Sequence, residues 1–218
     1  MTSPTYSLLN IFIIKLIVKG KIMTINGLQF VMGENDEKHL GGNIAEGDPR
    51  TYAPSVWNYV IKRFAIKSVL DIGSGLGFAA NYFHNAGIQT LAVEGLPFNV
   101  TRSVFPALHQ DITKSPILCK VDLVHCQEVV EHIEEEFLDN LLSSLSCGRF
   151  ILMTHAVPGQ GGYHHVNEQP VEYWVNHLSR YSCELLEEDT TRIRRLAAND
   201  GAVYLAQNGL LFANRNKL

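Results

Sequence analysis

Two groups of residues in this chain have types and spacings that can do chemistry. The first is Asp71-Ile72-Gly73-Ser74-Gly75-Leu76-Gly77, where an acid closes an apolar run and glycines follow at alternate positions. Glycine lets the backbone turn tightly and lets a ligand lie against bare main chain. A helix starting near residue 76 would aim free amide hydrogens at that ligand, so Gly73, Ser74, Gly75 and Gly77 are expected to line a nucleotide-type site. The spacing departs from the dinucleotide fingerprint G-x-G-x-x-G, because Phe78 stands where the third glycine belongs. Asp71, directly before the loop, would repel a diphosphate and welcome a cationic amino group. The second group is Glu128, Glu131 and His132, three and four residues apart, which one turn of helix would project to one side. His132, His155 and His165 are candidate general bases, since imidazole titrates near neutral pH.

These residues need elements to hold them. Ser68 to Ile72 is an apolar run without alternation, the pattern of a parallel strand buried on both faces. A helix is expected at 53–65, with Trp57, Val60, Ile61 and Phe64 on one face. Then strands at 67–72, 88–94, 105–110, Val121–Cys126 and Phe150–Thr154 alternate with helices at 77–87, 97–103, Glu134–Leu145 and 169–179. Such alternation predicts an α/β fold with a mostly parallel sheet covered on both faces. Near the end, Cys183–Glu187, Val203–Ala206 and Leu210–Ala213 read as strands, with Asn208-Gly209 as a hairpin-type turn. Residues 33–50, rich in Gly, Asp and Asn, read as a loop. The strand at 88–94 ends in Glu94, whose carboxylate can accept hydrogen bonds from both hydroxyls of a ribose. The Gly161-Gly162 stretch beside Pro158 is expected to act as a substrate lid, and Tyr163 and Trp174 as the floor of an acceptor pocket.

The D-x-G-x-G-x-G pattern resembles motif I of the class I S-adenosylmethionine-dependent methyltransferases. The resemblance covers about residues 51–215 and implies a Rossmann-like methyltransferase fold, a seven-stranded sheet ending in an antiparallel hairpin. It implies S-adenosyl-L-methionine as cofactor, with Asp111 taking the adenine amino group, Ile112 facing the ring, and Glu128 lining the pocket. The loop at 33–50 would fold over the site. The E-x-x-E-H run with a later histidine resembles two O-methyltransferase groups, those of ubiquinone biosynthesis and those acting on small-RNA 3′ ends. That likeness implies a divalent metal (Mg²⁺, Mn²⁺ or Zn²⁺) held by Glu128, Glu131, His132 and one of His164 or His165. The stretch Val121–Trp174 also looks like bacterial and phage methyltransferase-domain proteins, which names no acceptor.

Composition narrows the partners. The chain has 218 residues, 46% hydrophobic and 18% charged, enough for one core and too few for two comfortable domains. An N-terminal extension and access loop (1–50) would precede a methyltransferase domain (51–218). The net charge of −4 offers no general attraction to nucleic acid. Cys119, Cys126, Cys147 and Cys183 form no CxxC pair, which fits a reducing, cytoplasmic compartment. Leu8 to Val18 is apolar but too short to span a bilayer and lacks a signal peptide's basic lead. Met23 is a candidate start, with 1–22 an upstream extension, and Lys15, Lys19 and Lys21 would allow at most membrane-surface contact. Arg192, Arg194 and Arg195 read as a solvated face. The expected activity is methyl transfer to an oxygen, or less readily a nitrogen, of a small molecule or glycan. The alternatives are an NAD-type oxidoreductase and a cofactor-binding protein without catalysis.

Overall fold

The computed structural model describes residues 21–25, 28–33 and 37–218. The apolar stretch at 8–18, Lys15 and Lys19 lie outside the described residues. A two-stranded antiparallel ribbon, β1 (Lys21–Ile25) and β2 (Leu28–Met32), precedes the main domain. The domain then runs α1 (Pro54–Phe64), β3 (Ser68–Ile72), α2 (Phe78–Asn85), β4 (Gln89–Glu94), α3 (Pro97–Arg102) and β5 (Ala107–His109). It continues through β6 (Val121–Cys126), α4 (Leu138–Leu145), β7 (Gly148–Met153), α5 (Val171–Ser179) and β8 (Cys183–Leu185). It ends with α6 (Glu187–Asp200), α7 (Val203–Asn208) and β9 (Leu210–Asn214). The sheet order is β5-β4-β3-β6-β7-β9-β8, parallel throughout except where β9 enters between β7 and β8.

Both faces of the sheet are dry, and alternate residues of each central strand serve opposite layers. Leu70, Ile72, Val124, Cys126, Ile151 and Met153 pack with Leu138, Leu141 and Leu142 of α4 and Trp174 of α5. Val69, Leu123, Phe150 and Leu152 pack with Trp57 of α1, Phe83 of α2, Ile193 of α6 and Leu205 of α7. This double covering explains why the strands show no polar alternation. The order in which successive strands are added reverses between β3 and β6, parallel neighbours at the middle of the sheet. Their carboxyl ends therefore open a crevice at the topological switch point, where ligands bind in open α/β sheets.

The C-terminal quarter departs from expectation. Val203–Ala206 is not a strand but the start of α7, and the antiparallel partner of β9 is β8, reached through two helices instead of a two-residue turn. Gly209 has φ −66°, which is not the left-handed backbone that a tight primed hairpin turn uses. Glu187 belongs to α6, whose first turn carries Glu187, Glu188 and Asp189 against the positive helix end. Trp174, expected at an acceptor pocket, is fully enclosed in the core. Among the described residues no helix is long and apolar enough to cross a membrane.

Candidate functional site

A cavity of about 860 Å³ opens at the carboxyl ends of β3, β4 and β6. The 39–52 segment roofs one side and the 160–165 loop another, so both coverings expected from the sequence reach it. Its floor is the loop after β3, where Gly73, Gly75 and Gly77 have φ of +65°, +55° and +77°. A Cβ on Gly73 would collide with Val129, and one on Gly77 with Ser103 and Phe105. Nothing stands within 4 Å of a Cβ built on Gly75, which lines the open space. The glycines thus answer three needs: left-handed backbone at each, close packing at two, clearance for a ligand at the third.

Two acids flank the loop. Asp71, at the end of β3, accepts a hydrogen bond at Oδ1 from His125 Nδ1 (2.7 Å), while Oδ2 is buried without a partner. Glu94, at the end of β4, accepts from the amides of Gly75 and Leu96, each at 2.7 Å. Burial nevertheless pushes the Glu94 carboxyl up to about 7, against the lowering effect of those amides. Ile112 lines the cavity as expected, but Asp111 does not. Its Oδ2 pairs with His39 Nε2 (3.1 Å), and its Oδ1 accepts from the amide (2.9 Å) and hydroxyl (2.8 Å) of Thr113. Burial works to raise the Asp111 pKa, yet these bonds outweigh it and hold the group at about 2. The access segment has occupied the carboxylate that the sequence assigned to a ligand.

The second constellation divides. Glu128 has a left-handed backbone (φ +56°) and lines the cavity, its Oε1 accepting from the Thr154 hydroxyl at 2.8 Å. Burial lifts its carboxyl to about 7. The 3₁₀ turn Val130–His132 points Glu131 inward, fully enclosed, with both carboxylate oxygens unpartnered. Burial, then the neighbouring Glu128, pushes the Glu131 pKa well above the carboxylate range. One ligand atom each from Glu131, His132 and His165 lies within 4.8 Å of the others. Glu128 is not part of that group, because its side chain turns to Thr154. His164 is not part of it either, since its Nε2 meets Glu134 Oε1 at 2.7 Å. Burial holds His132 at about 4, a neutral imidazole able to offer a lone pair. Two imidazole nitrogens and a carboxyl group with no other partner are a donor set that fits a divalent transition ion. His155 stands apart: it is walled into the core beside Trp174, and its Nδ1 donates to the Gln169 carbonyl at 3.0 Å. It lines no part of the cavity, so it has no path to a substrate.

The sequence did not single out several lining residues. Asp48 and Arg50 form a short ion pair (2.6 Å), and Asp48 Oδ2 also accepts from the Tyr204 hydroxyl at 3.0 Å. Tyr204 carries the Arg50 guanidinium 5.2 Å from its ring; Tyr163, which the sequence did single out, lines the same cavity against Gly42. Reading 203–206 as a strand hid Tyr204. Trp57 and His125 lie on the helix and strand expected at 53–65 and Val121–Cys126, with no site role expected of either, yet both border the cavity.

This mixed seven-stranded sheet with helices on both faces, and its cavity at the β3–β6 reversal, is the Rossmann-like fold of class I S-adenosylmethionine-dependent methyltransferases. No protein-family profile matches the chain. A mitochondrial ubiquinone biosynthesis O-methyltransferase of Schizosaccharomyces pombe is 30% identical over 106 residues, which is 42% of this chain and 39% of that protein. The chain therefore matches well under half the length of that curated relative. A SAM-dependent methyltransferase from Archaeoglobus fulgidus superposes with a TM-score of 0.52 at 16% identity, covering 77% of this chain and 94% of its own. Magnesium protoporphyrin IX methyltransferase from Synechocystis PCC 6803, with bound SAH, gives a TM-score of 0.53 at 15% identity, over 62% and 74%. The methyltransferase domain of the bacterial CtHen1-C gives 0.53 at 13%, over 76% and 98%.

Proposed function

We propose that this protein moves a methyl group from S-adenosyl-L-methionine to an oxygen of a small molecule or glycan. The observation that carries this reading is one cavity holding both constellations: the glycine floor with Asp71 and Glu94, and the wall with Glu128, His132 and His165. Asp71 receives a cationic amino group, Glu94 the two ribose hydroxyls, the 73–77 backbone the ligand's length, and Ile112 the apolar ring face. S-adenosylmethionine, when bound, supplies a methyl group already activated by a positive sulfur. The protein's part is approach, alignment and removal of the acceptor's proton.

Glu131, His132 and His165 would hold a divalent ion, whose charge at that place would acidify an acceptor hydroxyl. The chain's own contribution is to keep the His132 imidazole neutral and the Glu131 carboxyl group free of other partners. A likeness to an O-methyltransferase supports oxygen as the accepting atom. The wall also favours an acceptor without phosphate, since Glu46, Asp48, Asp71 and Asp200 all line it, against Arg50 as the one lysine or arginine among the described lining residues. The four cysteines are unpaired, as suits a reducing, cytoplasmic compartment.

Calorimetry with S-adenosylmethionine, S-adenosylhomocysteine and NAD is the first test, followed by transfer of a labelled methyl group to phenolic, catechol and sugar acceptors. Binding of the two adenosyl compounds and label in an ether product is the expected result. Binding of NAD alone overturns the proposal. Full turnover after chelation removes the ion and leaves His165 to take the proton.

A further inference from the structure

A three-residue chain of hydrogen bonds runs along the cavity wall. Asp71 of β3 and His125 of β6 are partners across the parallel ladder. Trp57 of α1 reaches over them from the layer above. Indole Nε1–H lies 3.3 Å from His125 Nε2, and His125 Nδ1 lies 2.7 Å from Asp71 Oδ1. The side chains of His125 and Asp71 are each 3% exposed.

The chemistry of the partners fixes the protons. An indole N–H only donates, so it requires a bare Nε2 on His125. The ring's hydrogen then sits on Nδ1 and is given to Asp71 Oδ1. The ring plane is set as firmly as the proton. Trp57 stands edge-on to the imidazole at 5.9 Å and 83°, and Phe83 at 5.7 Å and 67°. One carboxylate oxygen of Asp71 is thus anchored by a donor that cannot rotate away. The other, Oδ2, is buried and has no partner in the protein. A buried acceptor left open beside a cavity is costly unless a ligand completes it.

We infer that His125 and Trp57 are positioning residues for the donor: through Asp71 Oδ1 they hold Oδ2 in place for the cationic amino group of the ligand's amino-acid arm. This inference rests on the methyl-donor reading above and adds to it two residues and the part of the ligand they serve. It also makes a distinction that simple packing does not. Ligands with the arm feel the chain of bonds; ligands without it do not.

The test compares S-adenosylhomocysteine, which has the arm, with 5′-methylthioadenosine, which lacks it, by calorimetry on four proteins: wild type, His125→Leu, His125→Asn and Trp57→Phe. Losing a charge-assisted hydrogen-bond network is expected to weaken S-adenosylhomocysteine by about tenfold to a hundredfold in His125→Leu. His125→Asn keeps an N–H near the place of Nδ1 and should recover most of that loss. Trp57→Phe keeps the ring but frees the imidazole, with a loss of roughly threefold. 5′-Methylthioadenosine should bind all four alike. Equal weakening of both compounds overturns the inference, because it means the residues only support the pocket's shape. Unchanged S-adenosylhomocysteine binding overturns it also. If His125→Leu does not fold, His125→Asn and Trp57→Phe decide by the same comparison. A wild-type protein that binds neither compound refutes the methyl-donor reading itself, an outcome separate from these.

Discussion

Replacing Glu94 with glutamine should change how stability depends on pH, in a direction the site dictates. Burial raises this carboxyl from 4.5 to about 7 even though Gly75 and Leu96 donate to it. Between those two values the native protein keeps a proton that the unfolded chain has released, so rising pH favours unfolding. The contribution is fully present below pH 4.5 and lost as pH rises through about 7. Each pH unit inside the window removes about 1.4 kcal/mol, so about 3 kcal/mol is lost between roughly pH 5 and pH 8. The wild-type curve alone would mislead, because His132 slopes the other way. Its value falls from 6.5 to about 4, so its contribution is present above 6.5 and lost as pH falls through 4. Comparing wild type with Glu94→Gln cancels His132 and every other unchanged group. The assay is urea unfolding of both apo proteins at each pH, followed by the fluorescence of the buried Trp57 and Trp174. The variant should gain about 3 kcal/mol on wild type between the two pH values, whatever constant offset its altered hydrogen bonds impose. Parallel pH profiles would refute the claim that this acid is strained by burial.

Other outcomes follow from the same geometry. Gly75→Ala should cost stability only about 1–2 kcal/mol, for a methyl on left-handed backbone, yet weaken S-adenosylhomocysteine at least tenfold by calorimetry; Gly73→Ala, which meets Val129, should destabilise far more. Asp71→Asn should weaken the same ligand by about 1–3 kcal/mol while leaving 5′-methylthioadenosine unaffected. Mn²⁺ or Zn²⁺ should raise the melting temperature of wild type, and Glu131→Gln should abolish the shift; an equal shift in both would place the ion elsewhere. Thr154→Val strips the Glu128 side chain and amide of their shared hydroxyl partner and should cost about 1–3 kcal/mol in denaturant titration.

Much of the parallel sheet was legible because its central strands β3, β6 and β7 are apolar-rich runs of five or six residues, and because glycine spacing and a terminal acid mark the first crossover. That Asp71, the glycines, Glu94 and Ile112 share one cavity was legible for the same reason: they belong to consecutive elements. What escaped was set by distant partners. No local pattern says that His39 will claim Asp111 from 72 positions away, or that Thr154 will draw Glu128 out of the Glu131–His132–His165 group. The helix at 187–200 did leave a trace. Three acids open it, Thr190, Ile193 and Ala197 mark its buried stripe, and Gly201 ends it in left-handed backbone. Its low hydrophobicity outweighed those marks, and the β-prone Val203-Tyr204-Leu205 beyond it was read for propensity, where tertiary packing prevailed.

The knot of Asp48, Arg50 and Tyr204 at the cavity's rim joins two stretches of chain that lie some 150 positions apart. The opposite end of the hollow comes from neighbouring strands and their turns. Substitutions can therefore redraw the doorway and change what the hollow admits, while the socket beneath keeps its shape. An engineer seeking to change what enters should begin at those three side chains and leave the glycine bend alone.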